Sequence, residues 1–398
     1  MLKKLWLLIL LAALITLEGC VRTTPVAPAG SDPIQSPDGK QPTPTATRLT
    51  PLLDLEVFVG GHGWASNADR TIFYNTRDFG ENWFNVTPEG FSAQGAGWGF
   101  TTAFPNGDAG WICQTESEFT SKLYTTIDGG RNWQTLTLEF PCGLISLINT
   151  DEGYILSDMG AGAGSQYVSI YYTSNGGQTW DLRFEHEPAD SDDHGLPTSG
   201  TKSHFVFLSV NNGLVGGSAP IPGSVYLYRT KDGGVSWFQS ECEGLPVDEN
   251  QETSVEDIIR IDSNSAILPV RSYLADGSTA TYFCSSTDAG ESWQYIGMLE
   301  NVEFFDFGSL LTGVAFGDGK MFQTENGGAT WTDTSAGLPP VVMPVAVNMM
   351  NDRVGFLTAT ITPATLTDNR IYMTGNNGDN WQSIPGNVID SILINPTP

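Results

Sequence analysis

Short runs rich in β-branched and aromatic residues recur along most of this chain, separated by clusters of Gly, Asn, Asp and Ser. Val168-Ser169-Ile170-Tyr171-Tyr172 and Val225-Tyr226-Leu227-Tyr228 are two of them, and their composition predicts strands. One stretch shows the order. An apolar run at 98–104 is followed by the turn Asn106-Gly107-Asp108-Ala109-Gly110, a second run at 111–114, a third at 123–126 and a fourth from Trp133. The order returns in its shortest form at 303–307, 313–316, 320–324 and Trp331. Four short strands per repeat, joined by tight turns, predict propeller blades rather than a sandwich.

Between the third and fourth runs lies an octapeptide, Ser/Thr-x-Asp/Asn-x-Gly-x-x-Trp, which occurs seven times. Its first positions are Thr76, Thr126, Thr173, Thr230, Ser286, Thr324 and Thr374. The third positions are Asp78, Asp128, Asn175, Asp232, Asp288, Asn326 and Asn376. The fifth are Gly80, Gly130, Gly177, Gly234, Gly290, Gly328 and Gly378, and the last are Trp83, Trp133, Trp180, Trp237, Trp293, Trp331 and Trp381. Successive copies start 50, 47, 57, 56, 38 and 50 residues apart. A period of this size, with strands in every repeat, signals a propeller or solenoid array. Each octapeptide has its own upstream strands, so the expectation is all-β: one seven-bladed β-propeller of four-stranded antiparallel blades over residues 51–398, almost without helix.

The octapeptide reads as a hairpin loop. Asp or Asn can fold its side chain onto nearby backbone N–H groups. Gly can take a positive φ without a steric cost, and Trp opens the outgoing strand with a large apolar face. Three copies carry Asn where four carry Asp, so the position needs no charge; that favours a turn over catalysis or metal ligation. One segment is left over, 388–394 (VIDSILI). It can pair onto the first blade and close the ring, hiding an edge, or add an edge strand to the seventh.

These octapeptides resemble the Asp-boxes, or BNR repeats, of bacterial sialidases, the sortilin ectodomain, xyloglucan-cleaving glycosidases and the photosystem II assembly-factor family. The resemblance covers about residues 51–398 and implies a structural box joining the third and fourth strands of a blade. Asp108-Ala109-Gly110-Trp111 and Asp151-Glu152-Gly153-Tyr154 resemble the Asp-x-Gly-aromatic element of the assembly-factor family. That family implies a non-enzymatic scaffold. Sialidase chemistry implies an arginine triad, a Tyr–Glu nucleophile pair and an Asp acid/base, with a Phe/Tyr-Arg-Ile-Pro segment near the start. The nearest segment is Ile259-Arg260-Ile261-Asp262, mid-chain and without the Pro. Arg70, Arg229, Arg271, Arg353 and Arg370 are available, and nothing in the sequence singles out three of them.

The front of the chain differs in kind. MLKKLWLLILLAALITLEGC has a basic start and an apolar stretch too short for a comfortable membrane span. Leu17-Glu18-Gly19-Cys20 resembles a bacterial lipobox, with Glu18 unusual in its place. The expectation is a signal peptide over 1–19 and lipid attachment at Cys20. Residues 20–50 carry Pro25, Pro28, Pro33, Pro37, Pro42 and Pro44 and predict a solvated tether. The expected location is the cell envelope, outside the cytoplasm, with membrane contact through the lipid alone.

Residues 1–19 hold Lys3, Lys4 and Glu18, so without them the 18 basic and 45 acidic residues become 16 and 44, a net charge of −28. That charge argues against nucleic acid, whose phosphates need clustered Lys and Arg. Four further cysteines, Cys113, Cys142, Cys242 and Cys284, allow two disulfides in three connectivities; local pairing gives Cys113–Cys142 and Cys242–Cys284. No CxxC zinc spacing, HExxH, nucleophile elbow or phosphate-binding Gly loop occurs, so neither a metal nor a cofactor is expected. The Gly160-Ala161-Gly162-Ala163-Gly164 run reads as a flexible loop. The longest repeats carry Glu185-His186-Glu187 through Asp193-His194 and the acidic stretch from Glu241 to Asp257. The function expected is a monomeric, non-catalytic scaffold for an envelope protein or glycan, the alternative an exported carbohydrate-active hydrolase.

Overall fold

A computed structural model describes residues 52–93, 99–162, 164–186, 195–339, 342–361 and 369–389, all within one compact unit spanning residues 46–398. Cys20 with its leader and tether, Trp98, the acidic stretch at 187–194 and the end of the leftover segment, 390–394, lie outside the described residues.

The described residues form 31 strands and one 3-10 turn, Ser335–Gly337. They make an all-β propeller of seven four-stranded antiparallel blades, each strand paired to the next in chain order. The innermost strands are Leu52–Val57, Phe100–Ala103, Gly143–Leu147, Thr201–Phe207, the split pair Glu252–Val255 and Ile259–Arg260, Val302–Phe307, and Val342–Met349. Blades four and five share one sheet because Ser218 and Ser254 bridge them. Gly160, Ala161 and Gly162 of the glycine-rich run in blade three belong to a strand rather than to the flexible loop expected. Gly160 pairs with Tyr167, and Gly162 pairs with Ser165, because small residues let the hairpin extend past the body of the blade.

The octapeptide explains both the turn and the packing. In all seven copies the first-position hydroxyl donates to the third-position Oδ1, at 2.8 to 3.0 Å. The same hydroxyl accepts the Gly N–H, at 2.8 to 3.1 Å. Oδ1 also accepts the N–H of the seventh residue. Only Oδ1 is essential to this net, which is why Asn substitutes for Asp. The fourth and fifth residues both lie at positive φ, with Gly at the fifth in every copy. The fourth residue donates its N–H to the loop joining strands one and two, as in Gly129 N to Asp108 O at 2.7 Å and Ala289 N to Asn264 O at 2.7 Å.

Seven apolar clusters each bridge two successive blades. Trp133 joins the cluster of blades one and two, Trp180 that of two and three, Trp237 three and four, Trp293 four and five, Trp331 five and six, and Trp381 six and seven. Each indole therefore packs onto the blade before its own. Trp83 packs with Phe356 and Ile371 of blade seven, so blade one treats blade seven as its predecessor and the ring is closed. Trp83, Trp237, Trp293 and Trp381 are buried and Trp133, Trp180 and Trp331 half-buried; burying an indole contributes several kcal/mol of hydrophobic stabilisation, at about 25 cal/mol per Å².

The leftover segment pairs onto the first blade, but outside it. Asn387–Ile389 runs parallel to the outermost strand, Asn82–Asn85, with Val388 opposite Trp83, and Asn387 N donates to Glu81 O at 2.8 Å. It thus differs from an innermost strand such as that of blade three. Cys242–Glu243 does the same for blade five, with Cys242 opposite Trp293. Disulfides join Cys113 to Cys142 and Cys242 to Cys284; each ties an interblade connection to the body of a blade.

Candidate binding site at the ring axis

The innermost strands enclose an axial cavity of about 600 Å³, whose lining includes Glu56, Thr102, Ser146, His204, Asp257 and Asn348. A further space of about 280 Å³ lies among blades five to seven and includes Arg271, Glu303 and Asp306.

One position recurs around this axis. Each blade's second strand opens with Gly, or with Ala266 in blade five. The residue seven places earlier is Glu56, Ala103, Ser146, Val206, Ile259, Asp306 or Asn348, in blade order. Three of these join neighbouring blades. Ser146 Oγ accepts Phe207 N at 2.7 Å, Asp306 Oδ2 accepts Met349 N at 2.6 Å, and Asn348 Oδ1 accepts Val57 N at 2.9 Å. In each case a side chain of one blade receives a backbone amide of the next. Inner strands pair with nothing on the axial side, so such amides need side-chain partners.

Glu56 and Asp306 occupy this level on blades one and six. Confinement within the ring raises the Glu56 carboxyl to about 8, and the nearby Asp306 charge adds to the shift. Burial raises Asp306 to about 7, although the amides of Met349 and Phe307 favour its ionised form. At neutral pH Glu56 therefore keeps its proton and Asp306 stands near its midpoint.

Blade five supplies the other polar group. Val255 pairs with Val270 and Ile259 with Ile267, so four steps on the inner strand match three on its partner. The extra residue is a bulge opposite Pro269, which has no N–H to close the ladder; Glu256 N still donates to Pro269 O at 3.0 Å. The bulge aims Asp257 into the cavity, where its Oδ1 lies 2.7 Å from His204 Nδ1. The Asp257 side chain is 97% exposed to the water of the cavity, and the bond from His204 holds its carboxyl below the usual range. Beside it, Arg271 binds Glu256 at 3.0 Å and Val302 O at 2.9 Å.

The other arginines are dispersed. Arg70 pairs with Asp54 at 2.7 Å, Arg229 lies 4.0 Å from Glu291, and Arg353 and Arg370 belong to blade seven. Arg260 donates to Leu147 O and Phe207 O at 3.4 and 3.3 Å, so it braces blades three to five. No arginine trio converges on the cavity among the described residues. His186 is occupied on both ring nitrogens, by Val168 N at 2.9 Å and Leu196 O at 2.7 Å, so it has no lone pair for a metal. Among the described residues no three His, Cys, Asp or Glu side chains gather where an ion could sit. Sequence reasoning did not find Glu56, Asp306 or the His204–Asp257 pair. The fixed spacing before the strand-opening Gly was the signal for the first two.

No family model and no curated relative matches the chain. Solved structures do. YCF48 bound to a D1 peptide is 15% identical, with a TM-score of 0.51, over 83% of this chain and 94% of that one. YCF48 from Cyanidioschyzon merolae is 16% identical, with a TM-score of 0.52, over 84% and 97%. A PL25 ulvan lyase follows at 12% identity, with a TM-score of 0.47, over 85% and 96%. The two YCF48 structures show that this chain shares the propeller fold.

Proposed function

We propose that the protein is a non-catalytic scaffold that receives a segment of another envelope protein at the ring axis, and that Cys20 carries the lipid holding it at the membrane. The observation that supports this reading is that the basic side chains at and beside the axis are already engaged within the ring. Arg271 is bound to Glu256 and Val302 O, Arg260 to two carbonyls, and His204 to Asp257. The lining offers acceptors and apolar strand surface to an incoming segment, not an assembled acid, nucleophile and arginine set. YCF48 bound to a D1 peptide offers a precedent of fold for a propeller that takes a peptide. Capture from envelope extracts by the full chain, with Asp257→Asn as the paired control, tests it. A partner retained by the wild type and lost from the variant supports the reading. Replacing Cys20 by Ser should release the protein from membranes, and unchanged retention counts against the lipid.

The hydrolase reading has one observation in its favour, the raised carboxyl groups of Glu56 and Asp306 at the ring axis, since raised carboxyl groups serve as general acids. Turnover of any glycan in a sialidase and glycosidase panel, abolished by Glu56→Gln, would replace the scaffold reading with this one.

A further inference from the structure

Residues 196–200 cross the junction of blades three and four, and each of their five carbonyls is bound by a side chain. Leu196 O receives His186 Nε2–H at 2.7 Å, and Pro197 O receives the Tyr226 hydroxyl at 3.2 Å. The ammonium of Lys202 takes the next three: Thr198 O at 3.1 Å, Ser199 O at 3.5 Å and Gly200 O at 3.4 Å. It also reaches Gln166 O at 3.0 Å. Lys202 is 3% exposed, and its hydrogen bonds go to carbonyls rather than to a carboxylate. Leu196, Tyr226 and Trp237 belong to the apolar cluster between these two blades, so the segment is part of that interface.

We propose that residues 196–200, seated on the blade-three hairpin by Gln166 N–H to Thr198 O at 2.8 Å and Gly200 N–H to Gly164 O at 2.9 Å, form a strap over the junction of blades three and four that is latched down while His186 is neutral and Lys202 is charged. The hydrogen bonds impose both conditions. His186 Nδ1 accepts Val168 N at 2.9 Å, so its one proton sits on Nε2 and serves the strap. A second proton on Nδ1 breaks the bond to Val168 and places a cation near Lys202. An ammonium has three donors for its carbonyls; the neutral amine has two, and a lone pair that faces carbonyl oxygens.

The surroundings set the limits of the closed range. His186 is packed edge-on by Phe184 and Tyr167 at 5.0 and 5.8 Å; burial, and then the Lys202 charge, lower its pKa. Lys202 has the Tyr226 ring at 5.3 Å and Asp158 as its charged neighbour. Burial lowers it to about 8, with Asp158 opposing. Burial raises the Tyr226 hydroxyl far above this range, so it keeps its proton throughout. The strap is closed near neutral pH, opens on the acid side as His186 gains a proton, and opens on the alkaline side as Lys202 loses one. This device is independent of what binds at the axis.

Amide hydrogen exchange of the full chain from about pH 5 to about pH 9.5, corrected for intrinsic rates, tests it. Relative to neutral pH, peptides covering the strap should lose protection by about tenfold or more at the alkaline extreme, the effect of losing bonds from a charged group, and by about threefold or more at the acid extreme, where the bond lost at His186 is a neutral one. Peptides of blade six serve as the internal reference. Lys202→Met should abolish the alkaline limb and keep the acid one. A strap whose protection follows blade six across the range overturns the proposal, and so does an alkaline limb that survives in the variant. The wild-type profile decides the question even where the variant folds poorly.

Discussion

Asn348 of blade seven accepts the backbone amide of Val57 in blade one at 2.9 Å, joining the last blade to the first at the axis. Further out, Trp83 packs against Phe356 of blade seven, and Val388 lies opposite Trp83 in a parallel pair. Closure thus has an axial bond, an indole and a peripheral strand. Removing the axial bond with Asn348→Ala strands the Val57 amide and should cost about 1–3 kcal/mol. Urea unfolding of the variant against the wild type measures it.

The interblade tryptophans differ in burial, and their replacement should rank accordingly. Trp237 and Trp83 are fully buried, whereas Trp133 keeps part of its surface in water. Trp237→Ala should cost about 3–5 kcal/mol and Trp133→Ala clearly less. Equal losses in thermal unfolding would mean that the indoles do not act through burial.

Ala289 stands at φ 60° in an octapeptide position that four other copies fill with Gly. Ala289→Gly should therefore stabilise the protein by about 0.5–1 kcal/mol, since a non-Gly residue is strained there. Gly290→Ala should do the reverse. It sits at φ 78°, and a Cβ would lie 2.7 Å from the Leu214 side chain. A rise in midpoint for the first and a fall for the second is the expected pair of results.

Glu56 and Asp306 make stability depend on pH in a defined sense. Their carboxyls are raised in the folded state to about 8 and about 7, so the folded protein holds protons that the unfolded chain releases near pH 4. The unfolding free energy should therefore fall as pH rises from about 4.5 to about 8, by roughly 2 kcal/mol per group after allowance for cavity water. Glu56→Gln should flatten this slope and be more stable than the wild type near pH 8. Melting temperatures across that range, with no rise for Glu56→Gln at the alkaline end, would refute the coupling.

Much of this architecture was legible because the octapeptide is a local device. Thr126, Asp128 and Gly130 meet one another within one loop, so their spacing in sequence is their geometry in space. Trp133 also announced a packing surface, but not that it faces the preceding blade. The axial residues were hidden for the opposite reason. Glu56 and Asp306 lie on different blades, 250 residues apart in sequence, and meet only through closure of the ring. His204 faces Asp257 because of a bulge opposite Pro269, which a strand pattern read one segment at a time does not reveal. The placement of 387–389 outside blade one likewise followed from the seam, not from the apolar composition of the segment.

The two parallel add-on segments carry a topological consequence. Cys242–Glu243 leaves blade four and lies along blade five, and Asn387–Ile389 leaves blade seven and lies along blade one in the same manner. The second is thus a junction of the same kind as the first, between the last described strand and the first. The fold is a cyclic object cut once, and the cut is interchangeable with the other junctions. Joining residue 389 to residue 52 through a short linker and reopening the chain between blades six and seven should give a circular permutant with the same ring, the same axial residues and a different blade in first place.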